Sequence, residues 1–109
     1  MGVVQTVRVR VFGETPVTPI VEPVVTALAA RTSLDVARAD ELIAAIDFVG
    51  NAWRGPDPLS VTLAAAGDTL TVELTPVAPA VLAQSESLVS RLVSSVSTTN
   101  DAVTLRVDR

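Results

Sequence analysis

Asp47, Asn51 and Arg54 stand at i, i+4 and i+7 of an otherwise apolar stretch. On an α-helix that spacing sets the three side chains on one side, about a turn apart. A carboxylate so placed can take a proton from an attacking hydroxyl. A neutral amide one turn on can complete the oxygen coordination of a hard cation such as Mg²⁺. The same stripe has a plainer use as the solvated face of a helix packed on a sheet.

Composition narrows the remaining chemistry. The 109 residues contain no Cys and no His, which excludes disulfides, thiolate zinc sites, cysteine nucleophiles, imidazole triads and phosphohistidine relays. Hydrophobic residues make up 49% and aromatics only 3%, namely Phe12, Phe48 and Trp53. Such a chain can fill a core, but it must do so with Val, Leu, Ile and Ala. Base-stacking platforms are correspondingly improbable. All eight cations are arginines and the net charge is −4, which disfavours nucleic acid as a partner. No apolar run approaches the roughly 20 residues that span a bilayer. Met1-Gly2-Val3-Val4 lacks a basic n-region. Although Met1 to Thr6 fits the permissive myristoylation pattern, a strand beginning there explains it better. The expectation is a soluble, cytoplasmic protein without a membrane partner.

The elements that must position the stripe follow from periodicity. Val7, Val9 and Val11 alternate with Thr6, Arg8 and Arg10, a half-buried strand that Gly13 ends. Val21, Val24, Val25 and Leu28 recur at helical spacing and predict a helix from Thr18 or Glu22 to Arg31. Its start is blurred by Pro19 and Pro23, since proline belongs in a helix's first turn. A second helix opens at a cap, Ser33 or Asp35, and runs to about Trp53 before the breaker Gly55-Pro56-Asp57-Pro58. Leu59 to Leu63 and Leu70 to Leu74 alternate about an Ala66-Gly67-Asp68 turn, predicting a hairpin. Leu88, Val89, Leu92, Val93 and Val96 predict a third helix, opened by Gln84-Ser85-Glu86-Ser87. After the turn Asn100-Asp101, Val103, Leu105 and Val107 alternate as a final strand. The order β-α-α-β-β-α-β predicts an α+β two-layer sandwich over 1–109: one domain with a four-stranded, mostly antiparallel sheet and three helices on one face.

The stretch Asp40 to Gly55, with Asp47 four residues before Asn51-Ala52 and a basic Arg54 following, resembles the N-box helix of the GHKL (Bergerat-fold) ATPases. It is most similar to the small anti-sigma-factor serine kinases of bacterial stress and sporulation switches. The resemblance implies a minimal histidine-kinase-type ATPase fold over nearly the whole chain. It also implies that Asp47 stands at the general-base position, usually a glutamate, and Asn51 at the Mg²⁺-coordinating position beneath the ATP phosphates. Aspartate is one methylene shorter, which withdraws the base by about 1.5 Å.

Other parts of that family's pocket have no counterpart. ATP-binding members place an Asp-x-Gly-x-Gly turn after the strand that here ends Val72-Glu73-Leu74. This chain reads Thr75-Pro76-Val77-Ala78-Pro79, without Asp or Gly. Nor does a glycine open the third helix, where amides would hold phosphates and Glu86 would repel them. The resemblance therefore implies a degenerate pocket in which Asp47 and Asn51 are vestigial. Catalysis and Mg-ATP or ADP binding survive only if the residual groove works. The favoured expectation is a pseudokinase, a bacterial regulator that binds a protein partner such as a sigma factor or a STAS-type antagonist. A homodimer is compatible with it. Two alternatives stand beside it: an active Mg-ATP-dependent serine kinase, and an unrelated α+β interaction module. In the latter the run Ser85, Ser87, Ser90, Ser94, Ser95, Ser97 could take phosphate, although a mildly polar helix face accounts for it equally. Trp53 is expected to anchor its helix end, and Arg8 and Arg10 to guard a sheet edge or line a dimer or partner surface.

Overall fold

A computed structural model describes residues 5–13, 15–52, 57–77 and 79–108, with backbone alone at 51–52, 79, 81–82 and 84–86. The elements are β1 (Gln5–Val11), α1 (Thr18–Arg31), α2 (Val36–Ala52), β2 (Leu59–Ala66), β3 (Thr69–Thr75), α3 (Pro79–Leu92), β4 (Ser95–Thr99) and β5 (Ala102–Asp108). The architecture is α+β, with three helices and one five-stranded sheet in the order β1-β2-β3-β5-β4. Every strand pair is antiparallel.

Alternation decides which face is buried. Val7, Leu63, Val72, Leu105 and Val96 are register partners in one row across the sheet. Leu63, Val72 and Leu105 in that row are fully buried, in one cluster with Val21, Val25, Leu42, Ala45, Ile46 and Val49 of the helices. The neighbouring row Arg8, Thr62, Glu73, Thr104 and Ser97 faces the other way and is half-buried or exposed. A period of two thus sorts apolar from polar residues along each inner strand.

The four expected strands are joined by a fifth, which corrects the sequence reading. Val93 and Val96 sit three apart, a spacing that fits a continuing helix, but α3 stops at Leu92 and Ser95–Thr99 is strand β4. Ser94 N–H donates to Arg106 O (2.8 Å), leading the chain off the helix and onto β5. Asn100 then takes φ +56° in the two-residue turn between Thr99 and its partner Ala102. Asparagine tolerates that left-handed conformation better than most residues. The opening of α3 is a second correction: the helix is already under way at Pro79, so Gln84 to Ser87 lie inside it. Proline suits that first position because the N–H it lacks would have no helical acceptor.

The α1–α2 connection is built from caps. Helix α1 starts at Thr18 and carries Pro23 in its interior, on the exposed side. At its other end Leu34 N–H donates to Ala29 O (3.2 Å) across Ser33, which stands at φ +60°. That is a Schellman-type stop with serine where glycine is usual. Leu34 is buried against the core, and the buried Thr32 hydroxyl donates to Leu28 O and Ala29 O at 3.2 and 3.1 Å. Asp35 is the N-cap of α2: its Oδ1 accepts from Arg38 N–H at 2.9 Å.

A non-glycine residue in the left-handed region is strained by about 1–2 kcal/mol, and glycine's freer unfolded chain offsets part of the relief. The Ser33→Gly variant should therefore gain roughly 0.5–1 kcal/mol, seen as a rise of a few degrees in Tm.

Candidate functional site

Helix α2 turns Leu42, Ile46 and Val49 inward, each fully buried, and leaves Asp40, Ala44 and Asp47 exposed. The polar side expected from the sequence therefore exists at Asp47. Asn51 lies in α2 near its C-terminus, but its side chain falls outside the described residues, as do Trp53 and Arg54 altogether. The geometry thus places Asp47 alone among the sequence-derived site residues.

Asp47 is met by the start of α1. The Thr18 hydroxyl donates a hydrogen bond to Asp47 Oδ1. One turn along, Gly50 is buried, and a Cβ built there would lie 3.1 Å from Val17 Cγ2. Val17 itself is fully buried. The two helices therefore approach at a point where α2 offers Asp47 and Gly50, at i and i+3, to Val17 and Thr18. A side chain at Gly50 would press on Val17, which would have to give by a few tenths of an ångström. Only tertiary packing could reveal the contact, because Val17 and Thr18 lie about thirty residues upstream. The hint in the sequence is Gly50 itself, a residue that weakens a helix interior unless something approaches it.

The segment that follows β3 packs into the core. Val77 is buried in the core cluster, and its N–H donates to Asp101 O at 2.7 Å. Thr75 Oγ1 donates to Asp101 Oδ1 at 3.4 Å. The segment after β3 is thereby tied to the β4–β5 turn. Among the described residues, no group of three or more Asp, Glu, His or Cys side chains could hold a metal ion.

A second polar cluster, not foreseen from the sequence, joins α2 to the end of β5. The Arg38 guanidinium donates to Ser94 Oγ (2.8 Å) and to Asp108 O (3.2 Å from Nη2, 3.4 Å from Nε). Ser94 Oγ also accepts from Asp108 N–H at 2.9 Å. The Asp108 carboxylate accepts from Thr69 Oγ1 and from Arg106 Nε, both at 3.0 Å. The Thr69 hydrogen bond foremost, then that of Arg106, holds its carboxyl below the usual value; the charges of Arg106 and Arg38 act the same way. These groups tie the sheet to its helix.

Comparison with known protein families and with curated proteins finds no match for this chain. Among the described residues, no helix is long and apolar enough to cross a membrane.

Two outcomes follow from these clusters. In a double-mutant cycle, Thr18→Ala and Asp47→Ala should show a coupling of about 0.5–1.5 kcal/mol by urea denaturation, the size of one hydrogen bond. Asp108 has a lowered pKa when folded, so its contribution is complete above the unfolded pKa. It is lost as pH falls through the ordinary carboxylate range, near pH 4 and below. Asp108→Asn should flatten the acid side of a stability-against-pH curve and leave its neutral-to-alkaline slope alone.

Proposed function

We propose that this chain is a regulatory binding protein, a non-catalytic relative of the bacterial anti-sigma-factor kinases. It acts in the cytoplasm by sequestering a protein partner of the sigma-factor or STAS-antagonist kind. The observation that carries the reading is the use made of Asp47. At the position where the resembled family keeps a general base, the carboxylate accepts the Thr18 hydroxyl and braces α1 against α2. A base engaged in a helix–helix tie is poorly placed to receive a proton from a substrate hydroxyl.

Two further observations support it. Val77, two residues past β3, is buried in the core cluster, where the resembled family would need an open strand end and an acidic partner for adenine. Helix α3 opens at Pro79 rather than at a glycine, so its first turn has one amide fewer for a phosphate. The element order is β-α-α-β-β-α-β-β, one strand more than the β-α-α-β-β-α-β expected of the minimal fold, with Asp47 and Asn51 on the second helix. Loss of an adenine contact and of several phosphate-binding amides would remove micromolar affinity, at roughly 0.5–1.5 kcal/mol for each bond. What remains is a five-stranded sheet with helices, suited to protein contact.

The test is thermal unfolding with and without millimolar Mg-ATP or Mg-ADP, alongside the Asn51→Ala variant. The reading expects no shift in Tm for either protein. A ligand at about 100 times its Kd would stabilise by roughly 2.7 kcal/mol, several degrees at this size. A shift that Asn51→Ala abolishes would overturn the non-catalytic reading in favour of a working Mg-ATP kinase.

A further inference from the structure

Strand β1 is paired with β2 on one side and stands at the edge of the sheet on the other. Half of an edge strand's backbone N–H and C=O groups point away from the sheet, a template for another strand. The helix layer does not close over this edge. Between β1 and α1 lies a groove of about 510 Å³, lined on the strand by Gln5, Thr6 and Val7 and on the helix by Val24, Leu28 and Arg31, among others. Val7 and Val9, which face inward, are consequently only half-buried, whereas Leu63 and Val61 beside them on β2 are fully buried.

The charge around this edge is opposite in sign to that of the chain. Arg8 and Arg10 project from the outward face of β1, and Arg31 lines the groove. Among the described residues none of the three forms an ion pair; the salt bridges there are Arg38–Glu41 and Arg106–Asp108. Phe12, just past the strand, is 61% exposed. Arginine and aromatic side chains are the types enriched at protein interfaces.

We propose that the outer edge of β1 from Gln5 to Arg10 takes an extended segment of a partner protein as a sixth strand, one that alternates apolar with acidic residues. Period two imposes that alternation. Side chains on the helix side of the added strand would fill the groove against Val7, Val24 and Leu28. Those on the open side would lie beside Arg8 and Arg10, where carboxylates complete the pairing. A second copy of β1 is the poorer occupant, because antiparallel pairing would set two pairs of arginines on one face. The groove follows the C-terminal half of α1, while Asp47 meets that helix at its first residue. The docking edge therefore stands whether or not the nucleotide-fold reading holds.

The probe is a blocked, fluorescein-labelled seven-residue peptide of alternating Glu and Val, titrated into the intact protein by anisotropy and by ¹⁵N-resolved NMR. The expected result is saturable binding, with the largest shifts at the amides of β1 and of α1 from Val24 to Arg31. The Lys–Val counterpart and the fully N-methylated peptide should each bind about tenfold more weakly or less, since one reverses the charges and the other removes the strand hydrogen bonds. Arg8→Glu with Arg10→Glu should invert the preference toward the Lys–Val peptide. Ala27→Arg, at an exposed helix position lining the groove, should abolish binding with Tm unchanged. No binding at millimolar peptide would overturn the proposal. So would shifts centred elsewhere, equal binding of the N-methylated peptide, or sedimentation as a dimer with its β1 amides protected from exchange.

Discussion

The structure depends on one row-by-row constraint: β2, β3 and β5 must keep Leu63, Val72 and Leu105 on the same side of the sheet. Side chains alternate with a period of two, so a slip of one residue in either pairing would send a whole strand's apolar set to water. Each large aliphatic side chain contributes about 1.5–3 kcal/mol when buried, so no slipped register competes with the native one. With almost no aromatics, the core is assembled from many small branched side chains. Their shapes leave the helices little freedom of position, because interiors are packed like organic crystals. This is why a close contact such as Val17 on Gly50 is tolerated and used.

That aliphatic core also explains where the polar residues went. Arg38, Ser94 and Asp108 join α2, the start of β4 and the end of β5 without a buried charge. Thr75 and Val77 bind the segment after β3 to the turn at Asp101. Asp47 braces the first residue of α1. These polar groups hold elements in place around a dense apolar layer. The binding reading rests on this distribution, and the uncovered edge of β1 is where that layer stops short.

Much of the fold was legible along the chain because local periodicity and caps carry it. The alternation in β1, β2, β3 and β5, the stop at the Ala66-Gly67-Asp68 turn, the Asp35 cap and the buried stripe Leu42, Ile46, Val49 each arise within a few residues. Strand β4 was not legible. It is short, its burial pattern is nearly all exposed, and it has no apolar alternation. Val96 also continued the helical spacing of Val89 and Val93. Only the hydrogen bonds offered by β5 make Ser95–Thr99 a strand. The start of α3 was obscured for a related reason, since the proline that interrupts a strand also begins a helix well. As for the candidate site, the sequence brought Asp47 to the exposed side of α2, but it could not show that Thr18 would lie against it.

The sequence by itself determined the class of fold, the inward side of the inner strands, the buried stripe Leu42, Ile46 and Val49 of α2, and the exclusion of cysteine and histidine chemistry. Those properties follow from residue type and from spacings of two or about 3.6, both of which act between near neighbours. Tertiary structure alone decided the fifth strand, the pairing of Thr18 with Asp47, the fit of Val17 on Gly50, and which strand was left at the edge beside a groove. Each of these joins residues distant in sequence. Such contacts are settled by how packed layers meet, and no local pattern encodes that meeting.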